Sequence, residues 1–167
     1  MLKFLFRGLT AEPPSGAALF EAITAEARRP SWYLDGRVPD TLDGRFAVLS
    51  TITALALVRL ESEGDAGNAA SVALTERFVY VMESEHRELG LGDPTLGKTV
   101  RKLVAMLAHR TELWRNADGK CIEATRESLY KGDVGQGALE HSAARLGELK
   151  VRLDAKPLAD IEQGKIA

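Results

Sequence analysis

Hydrophobic and polar positions recur with a helical period along most of the chain, and in one stretch the charged positions vanish. Residues 46–58 contain no Asp, Glu, Lys or Arg, while Asp43 and Arg45 stand before the run and Arg59 and Glu61 after it. A helix that is apolar on every side is surrounded by other elements. The pattern therefore predicts a central helix inside an α-helical bundle. At 1.5 Å per residue the run spans ~20 Å, the width of a small domain core and short of a bilayer. Ser50, Thr51 and Thr53 lie inside it and are expected to bond back to carbonyls one turn earlier.

The flanking segments read as amphipathic helices. Ser15 is expected to cap a first helix carrying Leu19, Phe20 and Ile23, which stops before Pro30 because proline bars helical geometry in its predecessor. Trp32, Tyr33 and Val38 sit in a loop, where apolar groups usually fold back over the core. Thr41 and Asp43 can each cap the central helix, and Gly64 is expected to end it. Over residues 69–89, Leu74, Phe78, Val81, Met82 and Leu89 share one face. Asp93 followed by Pro94 reads as a cap and first-turn proline. The next helix has the cleanest period: Leu96, Val100, Leu103, Val104, Leu107, Thr111 and Trp114 on one side, Lys98, Arg101, Lys102 and His109 on the other. A shorter helix over residues 120–131 and a last one from Ala138, with Leu139, Leu146, Leu149 and Leu153, complete the chain. No stretch alternates with the period of a strand. The fold class is all-α, a single-domain bundle of about six helices around the central apolar one. Residues 15–155 form the helical domain, residues 1–14 an N-terminal segment that is a candidate for membrane-surface contact, and residues 156–167 a loosely docked tail.

Composition changes this picture little. A net charge of −2 argues against a dedicated nucleic-acid binder, so no specific nucleic-acid partner is expected. The single cysteine, Cys121, rules out an internal disulfide and suits a reducing compartment. Residues 1–7 are too short an apolar run for a secretory signal and lack a small-residue cleavage site, so a cytoplasmic location is expected.

Several motifs invite chemistry. Residues 92–99, Gly-Asp-Pro-Thr-Leu-Gly-Lys-Thr, match the phosphate-loop string. That chemistry needs a buried strand feeding a cradle of backbone N–H groups. Here a charged, helical stretch leads in, Pro94 has no N–H to offer, and Asp93 repels phosphate. A nucleotide enzyme is thus the weaker alternative, and a turn between antiparallel helices the expected one. His86, His109 and His141 lack metal-ligand spacing. Cys121 lacks an adjacent base. Asp40 and Asp43 are explained by helix capping. No catalytic, cofactor or metal residue is assigned, and no enzymatic activity is expected. The basic face of Lys98, Arg101, Lys102 and His109 remains as a docking surface, for a partner protein in a generic helical adaptor or for acidic lipid headgroups.

Two blocks resemble a known family. Pro30-Ser31-Trp32-Tyr33 with Gly36-Arg37-Val38-Pro39-Asp40-Thr41-Leu42-Asp43-Gly44-Arg45-Phe46 is similar to a signature of the ubiquinol–cytochrome c chaperones. So is Arg87-Glu88-Leu89-Gly90-Leu91-Gly92-Asp93, followed by Gly97-Lys98 and Val100-Arg101-Lys102, with the likeness running on through Glu127-Ser128-Leu129-Tyr130-Lys131-Gly132 and covering about residues 15 to 150. The chain departs from the family at Ala108-His109-Arg110, where an aromatic-glycine-arginine run is common. The resemblance implies an all-helical, non-enzymatic assembly factor for the cytochrome bc complex. Its client would be newly made cytochrome b, met at the cytoplasmic face of a bacterial inner membrane, with the membrane surface or a ribosome-bound nascent chain as further contacts and no cofactor. The candidate partner-binding residues are Trp32, Tyr33, Asp40 and Arg45 in the first block and Asp93, Lys98, Arg101 and Lys102 in the second.

Overall fold

A computed structural model describes residues 15–166 apart from Leu91, without the side chains of Asp93 and Pro94. Eight helices form there: α1 (Ala17–Ala27), α2 (Ser31–Leu34), α3 (Leu42–Glu61), α4 (Asp65–Glu88), α5 (Asp93–Arg115), α6 (Cys121–Leu129), α7 (Gln136–Asp154) and α8 (Leu158–Glu162). No strand occurs among the described residues. The two helices beyond the expected six are the short α2 and α8.

The uncharged run lies in α3, which packs against α1, α4, α5, α6 and α7. Residues 50–57 are buried without a break, which an amphipathic helix on a surface could not achieve. The hydroxyls inside it are satisfied as expected: Ser50 donates to the Phe46 carbonyl at 2.7 Å, Thr51 to Ala47 at 2.7 Å and Thr53 to Leu49 at 2.8 Å. Thr41 is the cap, its hydroxyl accepting from the Gly44 N–H at 3.2 Å, while Asp43 sits in the first turn and suits the positive helix end. Arg59 is buried near the other end. Its guanidinium donates to the Leu153 carbonyl at 3.0 Å and the Lys156 carbonyl at 2.8 Å, and pairs with Glu63 at 2.6 Å. It thereby ties the end of α3 to the chain where it leaves α7.

Several boundaries differ from the sequence reading. α1 is capped by Gly16 rather than by the Ser15 side chain. Gly16 has φ 78°, and a Cβ there would stand 2.6 Å from the Ala73 carbonyl oxygen, so close passage over α4 demands glycine. α4 starts at Asp65, four residues before the expected start, directly after Gly64. Gly92, not Asp93, is the residue that precedes α5, with Asp93 its first helical position. Leu89 is 64% exposed and does not share the buried face of Leu74, Phe78 and Met82, since α4 ends one residue before it. Beyond α7 the chain is docked, with Ile161 and Ile166 buried and α8 packed on α1. The expectation of membrane contact falls on residues 1–14, outside the described residues.

Candidate functional site

A groove of about 1320 Å³ opens beside the first half of α3. Phe46 and Leu49 of α3, Val81 and Met82 of α4, and Leu103 and Met106 of α5 give it an apolar floor. Asp40, Asp43, Arg45, Glu85, Lys102 and Lys131 stand around its edge. Five large apolar side chains are exposed among the described residues, and three of them, Leu34, Leu42 and Leu89, lie on this groove. An exposed apolar patch with a polar rim marks a binding surface more often than scattered leucines do.

One wall is built by the aromatic-proline block. The single turn of α2 is pinned from below: the Trp32 indole N–H donates to the Glu26 carbonyl at 2.9 Å, and the Arg145 guanidinium lies 5.1 Å from the centre of the Trp32 ring. Tyr33 donates its hydroxyl to the Ala27 carbonyl at 2.9 Å, and burial pushes its phenol up. The chain then reverses through Arg37, whose φ of 53° is left-handed. Tyr130, after α6, donates to the Gly36 carbonyl at 2.5 Å and meets the Ser142 hydroxyl at 2.8 Å. Its phenol too is pushed up by burial. Finally Gly44 lets α3 start against the returning strand of chain, since a Cβ there would lie 1.9 Å from the Pro39 carbonyl oxygen. The groove wall is thus tied at both ends to buried groups.

The rim carries two ion pairs. Asp40 pairs with the Arg45 guanidinium at 2.6 Å and Asp43 with the Lys131 ammonium at 2.6 Å. In each case the hydrogen bond from the cation holds the carboxyl below its ordinary value of 3.8. A depressed carboxyl contributes stability above its unfolded value, and that contribution is lost as pH falls through the folded value. The effect is small, because both pairs are exposed. Carbon-detected NMR titration is expected to place both midpoints below 3.8, and Arg45→Gln to raise that of Asp40 alone. Equal midpoints at the ordinary value would show that neither pair persists in solution.

Arg110 is a different case. It is 9% exposed, lines the groove, and its guanidinium lies 5.8 Å from the centre of the Phe46 ring. It donates to the Ser128 carbonyl at 2.9 and 3.3 Å and to the Met106 carbonyl at 3.3 Å. Desolvation lowers its pKa from the ordinary value.

The sequence-predicted residues divide. Tyr33, Asp40, Arg45 and Lys102 line the groove. Lys98 and Arg101 are exposed on α5 beside Lys102 but do not line it. Asp93 opens α5, and its side chain lies outside the described residues. Trp32 is fully buried and has no surface to present, so its place is structural. Sequence reasoning passed over Leu34, Leu42, Lys131 and Arg110. The leucines carry no signal that separates an exposed position from a core one. Arg110 does carry one, since a charge three residues after Leu107 and four before Trp114 falls in an apolar stripe. His109, grouped with the basic face, pairs instead with Glu127 across to α6 at 3.0 Å.

The phosphate-loop string starts at Gly92, directly before α5, and the element that precedes it in the chain is α4, a helix and not a strand. Among the described residues, no three His, Cys, Asp or Glu side chains are grouped to hold a metal ion.

Comparison with known proteins bears on this geometry. The model of the family described as ubiquinol-cytochrome C chaperone matches residues 34–164. The crystal structure of the Cbp3 homolog from Brucella abortus is similar over 99% of this chain and 94% of that one, with a TM-score of 0.76 and 27% identity. No curated protein matches the chain. The family match starts at Leu34, just after the buried Trp32, and runs to Gly164 in the docked end of the chain, so it takes in α3 to α8 entire. With most of its length matched and its whole fold shared, the chain belongs to the ubiquinol–cytochrome c chaperone family.

Proposed function

We propose that the protein is an assembly chaperone for the cytochrome bc complex, and that its client is newly made cytochrome b. Membership of the family over residues 34–164 carries this reading. The chaperone works by holding a client rather than by chemistry, at the cytoplasmic face of the inner membrane, where it meets the membrane surface and chain emerging from the ribosome. Among the described residues no helix is long and apolar enough to cross a membrane. Attachment there is peripheral.

A membrane-embedded client keeps its apolar spans in lipid and presents loops and helix ends to a chaperone in water. A rigid surface that holds polar segments suits that task. The exposed Lys98, Arg101 and Lys102 on α5 supply one, anchored from behind by the buried Leu96, Val100 and Leu107. Each exposed cation contributes little to stability, ~0–1 kcal/mol, but a cluster raises the association rate and sets orientation.

The test is affinity capture from cells making fresh cytochrome b. The wild type is expected to retain cytochrome b. The triple variant Lys98→Glu/Arg101→Glu/Lys102→Glu is expected to keep its helical circular dichroism and most of its melting temperature, to lose cytochrome b, and to fail to restore the complex in a deletion strain. Absence of cytochrome b from the wild-type capture overturns the client. Full complementation by the triple variant overturns this surface as the docking site.

A further inference from the structure

We infer that the groove beside α3 receives one amphipathic helix of the client, seated so that a carboxylate on its apolar face meets Arg110. That the client owns the helix rests on the chaperone reading above. The chemistry of the occupant rests on the groove alone.

Three observations carry it. The first is charge. Arg110 is 9% exposed, and among the described residues its guanidinium is answered only by the Ser128 and Met106 carbonyls and the Phe46 ring. A buried cation without an anion is costly, and a guanidinium fork matches a carboxylate in two parallel bonds. The other charges of the rim differ, since Asp40 is paired with Arg45 and Asp43 with Lys131, and Glu85 and Lys102 are exposed to water. The second observation is apolar surface. Phe46, Leu49, Leu103 and Met106 floor the groove, and Leu34 and Leu42 at its edge are 66% and 64% exposed, so the occupant presents apolar groups to them.

The third is backbone. Helices line most of the groove, the segments 39–41 and 130–131 join them, and no strand occurs among the described residues, so no sheet edge is there for an extended segment to join. An occupant must therefore satisfy its own backbone, which a helix does. A helix ~10 Å across with a 1.5 Å rise fills ~120 Å³ per residue, so the groove holds roughly ten residues, about three turns. Three turns bring apolar side chains at i, i+3, i+4 and i+7 onto one floor, with room for one acid among them.

The experiment places a benzophenone amino acid at Leu42 on the groove and, separately, at Lys98 on the outer face of α5, in the full chain in cells. Adducts are mapped by mass spectrometry. The expected adduct at position 42 is a cytochrome b segment with helical apolar spacing and an Asp or Glu within it. A synthetic peptide of that segment is then expected to bind the protein about tenfold or more tightly than its acid-to-amide version. That difference should disappear on Arg110→Gln and persist on Arg110→Lys. Should Arg110→Gln fail to fold, the amide peptide against the wild type still measures the pair. Capture of cytochrome b at position 98 with no adduct at 42 sinks the groove and leaves the chaperone reading standing. Loss of cytochrome b at both positions, with an acid-bearing helix of another protein at 42, keeps the groove chemistry and removes the client. An adduct to lipid, to residues 1–14 of this chain, or to a segment without an acid overturns the inference, as does an amide peptide that binds as tightly as the acid one.

Discussion

Leu55→Asp is expected to abolish the folded state at physiological temperature. Leu55 is 3% exposed and lies in the second half of α3, inside the unbroken buried run of residues 50–57. A carboxylate there has no water and no cation of its own. Burying it uncompensated costs several kcal/mol, and deleting the leucine's contacts adds a cavity term of ~2–5 kcal/mol. The sum is comparable with the whole stability of a domain, ~5–15 kcal/mol. Partial escape through protonation or local unwinding is itself destabilising, because α3 contacts five other helices at once. Leu55→Ala, which removes the contacts without adding charge, is expected to lower the melting temperature by roughly 5–20 °C. Thermal melts followed by circular dichroism settle both. An aspartate variant melting within a degree or two of wild type would show that position 55 reaches water, contrary to a central α3.

Trp32→Ala is expected to cost ~3–5 kcal/mol, in the range for truncating a buried aromatic. The indole fills a fully buried site, its N–H satisfies the Glu26 carbonyl, and its face supports Arg145, which in turn pairs with the Glu26 carboxylate at 2.9 Å. Removing the ring loosens that pair and the α2 turn above it, which forms the groove wall. Trp32→Phe keeps most of the apolar area and loses the hydrogen bond, a change of about 1 kcal/mol. Urea unfolding of both variants gives the energies. Client capture by Trp32→Ala is expected to recover in the cold, where the folded fraction recovers. A variant that folds fully and still fails to capture the client would give Trp32 a contact role that its burial denies.

The two residues show how differently positions are read from sequence. Leu55 sits in an uncharged run, and such a run leaves a helix one option, enclosure by other helices. The all-α class, the central place of α3, the bonded hydroxyls of Ser50, Thr51 and Thr53, and the Thr41 cap all follow from interactions within a few residues. Local chemistry decides them, and the amino-acid order states local chemistry directly. The signature blocks around Pro39 and Gly92 likewise point to the family without any coordinates.

Trp32 shows the opposite case. An aromatic in a loop reads equally as core or as contact, and only the packing of α1 and α7 around it shows that it is core. Leu34, Leu42 and Leu89 are the converse, leucines that the same pattern would bury. Periodicity tells which face of an element is apolar, but what covers that face is decided by elements far along the chain. The groove joins Tyr33, Phe46, Met82, Leu103 and Lys131, and Arg110 becomes its buried cation only because the Ser128 carbonyl of α6 and the Phe46 ring of α3 arrive from either side. Such placements depend on contacts between residues distant in sequence, which tertiary packing creates and no window of sequence contains.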